Sequence, residues 1–360
     1  MVVGTYDPEN LLLQAQDPAT LGYLLFSYSD SKGLARVAAN NATIRSLKRA
    51  RDKECYYLVE ESYELPPQLV RIDTAMTKAV IYKTNPQQQD YLWGYSRLIQ
   101  YNANGKTGLK GALFYPAGYD PRKSYPMVVY IYETLSQRLH RYVPPGLKLY
   151  EGFNVTNYTT GGYFVLMPDI AYTLNTPGRS ALNCVLAASE KTLETASVDR
   201  DRIALMGHSY GGFETCYIIS QTDFFKTAVA GAAPVDLLSF YLGRDASGVS
   251  NMQRFNNGQF RNRLPFLSKE FLKESPLHNA ASINTPLLLW AGEKDRLVDP
   301  SHSLKLYSAL WRLKKESALL LYANEQHVIE EPKRQVDLYR KVREWLDHYL
   351  KDGPKPKWAP

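Results

Sequence analysis

The chain is 360 residues long and 44% hydrophobic, enough to bury the core of one large domain, alone or with an appendage. No run of about 18 apolar residues occurs, so no segment is expected to span a membrane. The net charge of +7 is mild for this length, and the basic clusters Lys48-Arg49, Arg51 and Lys314-Lys315 lack interleaved aromatics, which excludes a nucleic-acid module. The three cysteines, Cys55, Cys184 and Cys216, have no metal-ligand spacing, and the last two lie in apolar helical patterns that read as buried free thiols. Neither a metal nor another cofactor is called for. Residues 1–7 lack the basic and apolar character of a signal peptide, which leaves the compartment open between cytoplasm and periplasm or exterior.

Residues 1–104 are expected to form a β-rich segment. Residues 24–28, 55–59, 68–72 and 78–82 are short runs of β-branched and aromatic residues between polar or proline turns. Residues 39–51 are the one stretch there with helical spacing. So few strands cannot close a barrel or sandwich, and the segment must lean on the rest of the chain.

From residue 105 strands and helices alternate. Strands are expected at 109–115, 126–132 (apolar on both faces, as in a central parallel strand), 162–167, 203–206, 227–233, 286–290 and 318–322. Helices are expected at 180–196, 301–314 and 332–350. This order predicts an α/β fold for residues 105–352, a doubly wound and mostly parallel sheet of the α/β-hydrolase kind. Residues 240–277 interrupt it as a glycine- and asparagine-rich cap or rim loop. Residues 353–360 read as a flexible tail.

Between the strand at 203–206 and a helix beginning near Tyr210 stands Gly207-His208-Ser209-Tyr210-Gly211, which fits the nucleophile elbow pattern G-x-S-x-G. A serine at the apex of a tight strand-to-helix turn stands clear of its backbone, and the first N–H groups of the helix point at the same place. Such a serine needs a base and the base an orienting carboxylate, supplied in the order Ser, acid, His from the carboxyl ends of later strands. Of six histidines (His140, His208, His278, His302, His327, His348), only the last three follow a plausible acid. His348 lies inside the final amphipathic helix, and His302 is too close in sequence to the acid loop. His327 follows the strand at 318–322, where the base is expected. Asp295 lies nearest the end of the strand at 286–290; Asp299, before Pro300, reads as a helix cap, and Asp236 is the reserve acid. The pattern assigns Ser209, Asp295 and His327.

Together these residues resemble the prolyl oligopeptidase family of serine peptidases, the group of dipeptidyl-peptidase IV, acylaminoacyl-peptidase and the oligopeptidases. The resemblance rests on Ser124-Tyr-Pro-Met-Val-Val-Tyr-Ile-Tyr132, Gly207-His-Ser-Tyr-Gly-Gly-Phe213, Ala233-Pro-Val235, Gly292-Glu-Lys-Asp295 and Gln326-His327, and covers residues 105–350. It implies that residues 1–104 are the end of an N-terminal β-propeller. It also implies that the Tyr132 hydroxyl and the Tyr210 N–H form the oxyanion hole, with Tyr210, Val235, Leu238, Tyr241 and Val298 lining the substrate pocket. Glu133-Thr134-Leu135 replaces the family's Gly-Gly-Pro or Ala-Gly-Pro, Val328 the glycine after the histidine, and Leu238 an aromatic of proline-specific pockets. The last change argues against strict proline specificity. The resemblance implies a serine peptidase that hydrolyses short peptides through an acyl-enzyme. A carboxylesterase with the same residues and a catalytically weak binding module are the alternatives. A peptide is the expected partner, and self-association stays open.

Overall fold

The computed structural model describes residues 11–51, 55–73, 75, 77–256 and 258–360. The N-terminal part is antiparallel. β1 (Leu11–Gln16), β2 (Tyr23–Ser29) and β3 (Gly33–Asn40) form a three-stranded sheet. β4 (Thr43–Arg49), β5 (Tyr56–Glu61), β6 (Gln68–Ile72) and β7 (Lys78–Lys83) form a four-stranded meander. The helix expected at 39–51 is absent. Asn41 and Ala42 turn the chain, and β4 satisfies its backbone groups along β5 from Thr43↔Glu61 to Arg49↔Tyr56. The core here is small, built on Tyr23, Leu25, Leu58, Val70 and Ile72. It is tied to the rest through Tyr63, fully buried, whose hydroxyl bonds Thr159 Oγ1 at 2.6 Å and whose ring meets Phe114 edge-on at 4.8 Å.

The second sheet has eight strands: β8 (Ser96–Ala103), β9 (Lys106–Phe114), β10 (Tyr125–Ile131), β11 (Phe164–Pro168), β12 (Val198–His208), β13 (Thr227–Gly231), β14 (Leu287–Gly292) and β15 (Ser317–Tyr322). Their spatial order is β15-β14-β13-β12-β10-β11-β9-β8, parallel from β11 to β15 and antiparallel where β9 meets β11 and β8. The edge strand β8 precedes the boundary expected at residue 105 and pairs with β9 across a tight turn at Asn104-Gly105. Helices α1 (Val155–Thr160), α2 (Pro177–Thr195), α3 (Tyr210–Ile219), α4 (Leu237–Leu242), α5 (Met252–Asn256), α6 (Lys269–Lys273), α7 (Ser301–Arg312) and α8 (Pro332–Lys351) complete it. Among the described residues no helix is long and apolar enough to cross a membrane.

Alternate residues of β10 face opposite sides, as the two-residue period of a strand requires. Met127, Val129 and Ile131 join a core with Leu182 and Val185 of α2 and Phe213 of α3, while Val128 and Tyr130 join one with Leu338, Val342, Trp345 and Leu346 of α8. Helices thus cover both faces, the arrangement of an α/β-hydrolase fold. α8 also holds residues 353–360 close: Trp358 stacks on Trp345 at 6.2 Å and donates from its indole N–H to Glu344 at 2.7 Å. The insertion after β13 holds three short helices. Phe255, Phe260 and Phe271 are buried together, Phe255 and Phe260 stacked at 4.4 Å, and this apolar anchor gives the glycine- and asparagine-rich stretch a fixed shape.

Candidate active site

Ser209 sits between β12 and α3 with φ 58° and ψ −118°, a positive φ that costs a residue with a Cβ about 1–3 kcal/mol and that only a well-packed turn sustains. The packing comes from two glycines. A Cβ on Gly207 would lie 2.2 Å from the Gly211 carbonyl oxygen, and one on Gly211 would lie 2.2 Å from the Ile131 carbonyl oxygen. Both approaches are closer than any side chain permits, so the motif's glycines let the turn close against β10. The Ser209 N–H donates to Gly231 O at 2.8 Å, which ties the apex to β13.

Asp295 leaves the end of β14 and His327 the loop after β15. His327 Nδ1 lies 2.7 Å from Asp295 Oδ2, and His327 Nε2 lies 2.8 Å from Ser209 Oγ. A carboxylate only accepts, so Nδ1 carries the ring proton and Nε2 is left to accept from the serine hydroxyl. Asp295 Oδ1 accepts from the N–H groups of Leu297 at 2.8 Å and Val298 at 3.0 Å, which fixes the carboxylate plane. The Asp295 side chain is fully shielded, while that of His327 is 18% exposed, so the open end of this chain of hydrogen bonds is the imidazole and the serine.

The other acids and histidines are engaged elsewhere. Asp299 accepts from the Ser301 N–H at 2.8 Å and caps α7. Asp236 caps α4 and pairs with Lys305 at 2.8 Å; burial opposes its ionisation, but the hydrogen bonds from Lys305 and Ser239 outweigh it and bring its pKa to about 2. His302 is buried and accepts from the Asp236 N–H at 3.2 Å; burial pushes its pKa down to about 4, so it is neutral. His348 lies against Gly353 O at 2.8 Å. His208 has a role that its place before the serine did not suggest. It stacks on Trp290 at 5.1 Å, and its Nε2–H donates to the His327 carbonyl at 2.8 Å, bracing the loop that carries the imidazole. Burial chiefly lowers its pKa, which keeps the ring neutral.

Tyr132 follows β10 directly, its ring edge-on to Tyr210 at 6.4 Å. Its hydroxyl oxygen accepts from Gln259 Nε2 at 3.1 Å. Glu133, at φ 40°, accepts from the same Gln259 nitrogen at 3.1 Å and pairs with Arg261 at 3.2 Å. The Arg261 guanidinium lies 4.5 Å over the Tyr172 ring, and the Tyr172 hydroxyl donates to the buried Glu214. The Tyr210 N–H belongs to the first turn of α3, whose N–H groups have no intrahelical acceptor. Gln259 and Arg261 come from the insertion, where residue type and spacing carry no signal for them.

Val235 and Val298 lie in the same buried cluster as Tyr210, while Leu238 is half-buried on α4. Tyr241 stacks on Phe266 at 5.6 Å and sits edge-on to Phe255 and Phe271. A cavity of about 530 Å³ opens beside Asp295 and Leu297, bounded by Phe240, Arg244, His302 and Lys305, with neither Ser209 nor His327 in its wall.

The prolyl oligopeptidase family model matches residues 175–353, the span that carries Ser209, Asp295 and His327. Residues 175–353 belong to the prolyl oligopeptidase family. Over 264 residues it is 26% identical to the uncharacterized peptidase YuxL of Bacillus subtilis, covering 70% of this chain and 39% of that protein. Over 179 residues it is 31% identical to the human acylamino-acid-releasing enzyme, covering 48% of this chain and 24% of that enzyme. The crystal structure of Porphyromonas gingivalis dipeptidyl peptidase 4 superposes with a TM-score of 0.74 at 18% identity, over 96% of this chain and 49% of that one. At that identity the likeness speaks for the fold. The chain therefore spans between about a quarter and a half of the length of these family members.

Proposed function

We propose that the chain is a serine peptidase that hydrolyses short peptides through an acyl-enzyme. The observation that carries this reading is the unbroken line of hydrogen bonds from Asp295 through His327 to a strained, half-exposed Ser209. Ser209 Oγ attacks the scissile carbonyl carbon while its proton passes to His327 Nε2, and Asp295 holds the imidazolium that forms. The C–N bond breaks, and the leaving amine takes the proton from His327. A water then attacks the ester with His327 again as base, releasing the acid and returning the proton to Ser209. Tyr132 Oη–H and the Tyr210 N–H are the donors for the oxyanion in both steps, each worth about 3 kcal/mol in the transition state.

Val235, Val298 and the Tyr210 ring are the apolar groups we assign to the pocket for the residue before the scissile bond, with Leu238 and Tyr241 on α4 as its outer wall. The names of the relatives, peptidase and acylamino-acid-releasing enzyme, agree with a peptide substrate. We further read the sheets before β8 as part of a β-propeller, because β4 to β7 make a four-stranded antiparallel meander of the kind a blade uses, with the hydrolase domain beginning at β8.

The test is covalent labelling with a fluorophosphonate, read by intact mass. The wild-type chain is expected to gain one phosphonyl group and Ser209→Ala none; equal labelling of the two sinks the assignment. Comparing turnover of aminoacyl anilides with short acyl esters then separates a peptidase from a carboxylesterase, which would turn over only the esters.

A further inference from the structure

We propose that Gln259, from the insertion between β13 and β14, is a positioning residue that fixes the Tyr132 hydroxyl as an oxyanion donor; this rests on the peptidase reading above. Glu133 carries a carboxylate that only accepts, and Arg261 already donates to its Oε1 from both guanidinium nitrogens, at 3.3 and 3.2 Å. The atom of Gln259 that lies 3.1 Å from Glu133 Oε2 must therefore be the amide NH2, which removes the usual ambiguity between the two ends of a glutamine. That same nitrogen lies 3.1 Å from the Tyr132 oxygen, so the tyrosine is the acceptor in this contact.

A phenol has one proton to give. With Gln259 donating to its oxygen, Tyr132 has no reason to turn that proton toward the rim, and the O–H is left to point at another acceptor. Donation into the oxygen also polarises the O–H bond and strengthens it as a donor. Arg261 fixes the backbone at this point by donating to the Gln259 main-chain carbonyl at 2.6 Å while it binds Glu133. The residues after Tyr132 thus have a use that their departure from the family pattern left without one. Glu133 is the fixed acceptor that tells Gln259 which way round to lie.

The experiment measures the second-order rate of Ser209 phosphonylation by a fluorophosphonate, and kcat and KM for p-nitrophenyl acetate, on the full chain. In phosphonylation the Oγ–P bond forms, fluoride leaves, and His327 takes the serine proton, so the rate depends on how well the developing charge on the phosphonyl oxygen is met. Gln259→Leu is expected to lower the rate and kcat about tenfold with KM within about twofold, and Gln259→Glu, which would accept the Tyr132 proton, to lower them further. In a Tyr132→Phe background Gln259→Leu should change the rate less than about twofold, because the group it acts through is gone.

Equal losses in both backgrounds, or a Gln259→Leu chain that reacts as fast as wild type, overturn the inference while leaving the peptidase reading intact. A wild-type chain that never labels at Ser209 removes both. Gln259→Met, close in length but without the donor, is measured beside the leucine variant so that a local packing defect in one does not decide the result.

Discussion

Asp295 and His327 reach Ser209 from the carboxyl ends of two neighbouring parallel strands, whereas Gln259 reaches Tyr132, and Arg261 the adjoining Glu133, from an insertion that joins no sheet among the described residues. On the first side every fixing contact involves main chain: two N–H groups hold the Asp295 carboxylate, and the His327 carbonyl is held by the His208 ring. On the second side the fixing groups are side chains, an amide and a guanidinium on one carboxylate, with Arg261 and Glu133 39% and 31% exposed. Backbone restraint is cooperative with the fold. Side-chain restraint depends on a local ion pair that water and salt can reach. The two halves of the proposed site thus differ in rigidity, and the half assigned to proton transfer should be all-or-none where the half assigned to the oxyanion is graded.

The largest effect should come from the rigid half. His327→Ala removes the proposed base and is expected to lower phosphonylation and turnover by about 10⁴-fold or more, with the melting temperature near that of wild type because two main-chain N–H groups still hold the Asp295 carboxylate. A loss of under about a hundredfold would mean that another group takes the proton, and the comparison would fail at its firmer end. Next, Tyr132→Phe deletes one hydroxyl and should cost on the order of 10² to 10³ in kcat with little change in KM, since the donor matters only as charge develops. A change confined to KM would place Tyr132 in substrate binding instead.

Arg261→Met probes the graded half at one remove. It leaves Tyr132 and Gln259 in place and withdraws the charge that anchors Glu133, so the expected loss is smaller, about three- to tenfold. The wild-type rate should also fall toward that of the variant as salt rises to 1 M, where charges screen each other within about 3 Å. Rates that are insensitive to salt in both proteins would show that the Glu133–Arg261 pair does not support the donor.

The same contrast decides what could be seen in the sequence. Ser209, Asp295 and His327 were legible because a parallel sheet delivers residues at strand ends in a fixed order, and β12, β14 and β15 are apolar runs with clear limits. Gln259 and Arg261 were not, because no periodicity links them to Tyr132, 127 positions away from Gln259. His208 was legible as a member of the elbow but not as a brace, which depends on the path of the loop after β15. The misread stretch at 39–51 belongs to the weakly patterned N-terminal part, where exposed strands such as β4 have two half-polar faces and a helical spacing can arise by chance. β8 carries a weak sequence signal because it is a largely polar edge strand, with only Ile99 and Tyr101 buried.

Glu214 offers the gentlest probe, since it stands behind the graded half and makes no hydrogen bond to Ser209 or His327. It lies on α3, fully buried, with the Tyr172 hydroxyl donating to one oxygen and no hydrogen-bond partner for the other among the described residues. Burial pushes its pKa up to about 8, the Tyr172 hydrogen bond pulling it part of the way back. In the unfolded chain a glutamate titrates near 4.5. Between these values the folded state holds a proton that the unfolded state has lost, so stability is complete below about pH 4.5 and declines as pH rises toward about 8. Glu274, raised to about 7 by burial, adds a decline of the same sign over a narrower window, and His302, lowered to about 4, adds a loss of stability on acidification. Glu214→Gln cannot ionise, so it should gain on wild type steadily from pH 5 to pH 8.5, by a few kcal/mol at the upper end, with activity changed least of the four variants. Urea midpoints at several pH values measure the gain. A gap between the two proteins that stays constant with pH would mean that Glu214 is already ionised in the folded state, with Arg261 reaching through Tyr172 to hold its charge. The side-chain network behind Tyr132 would then be as firmly charge-paired as the Asp295 side.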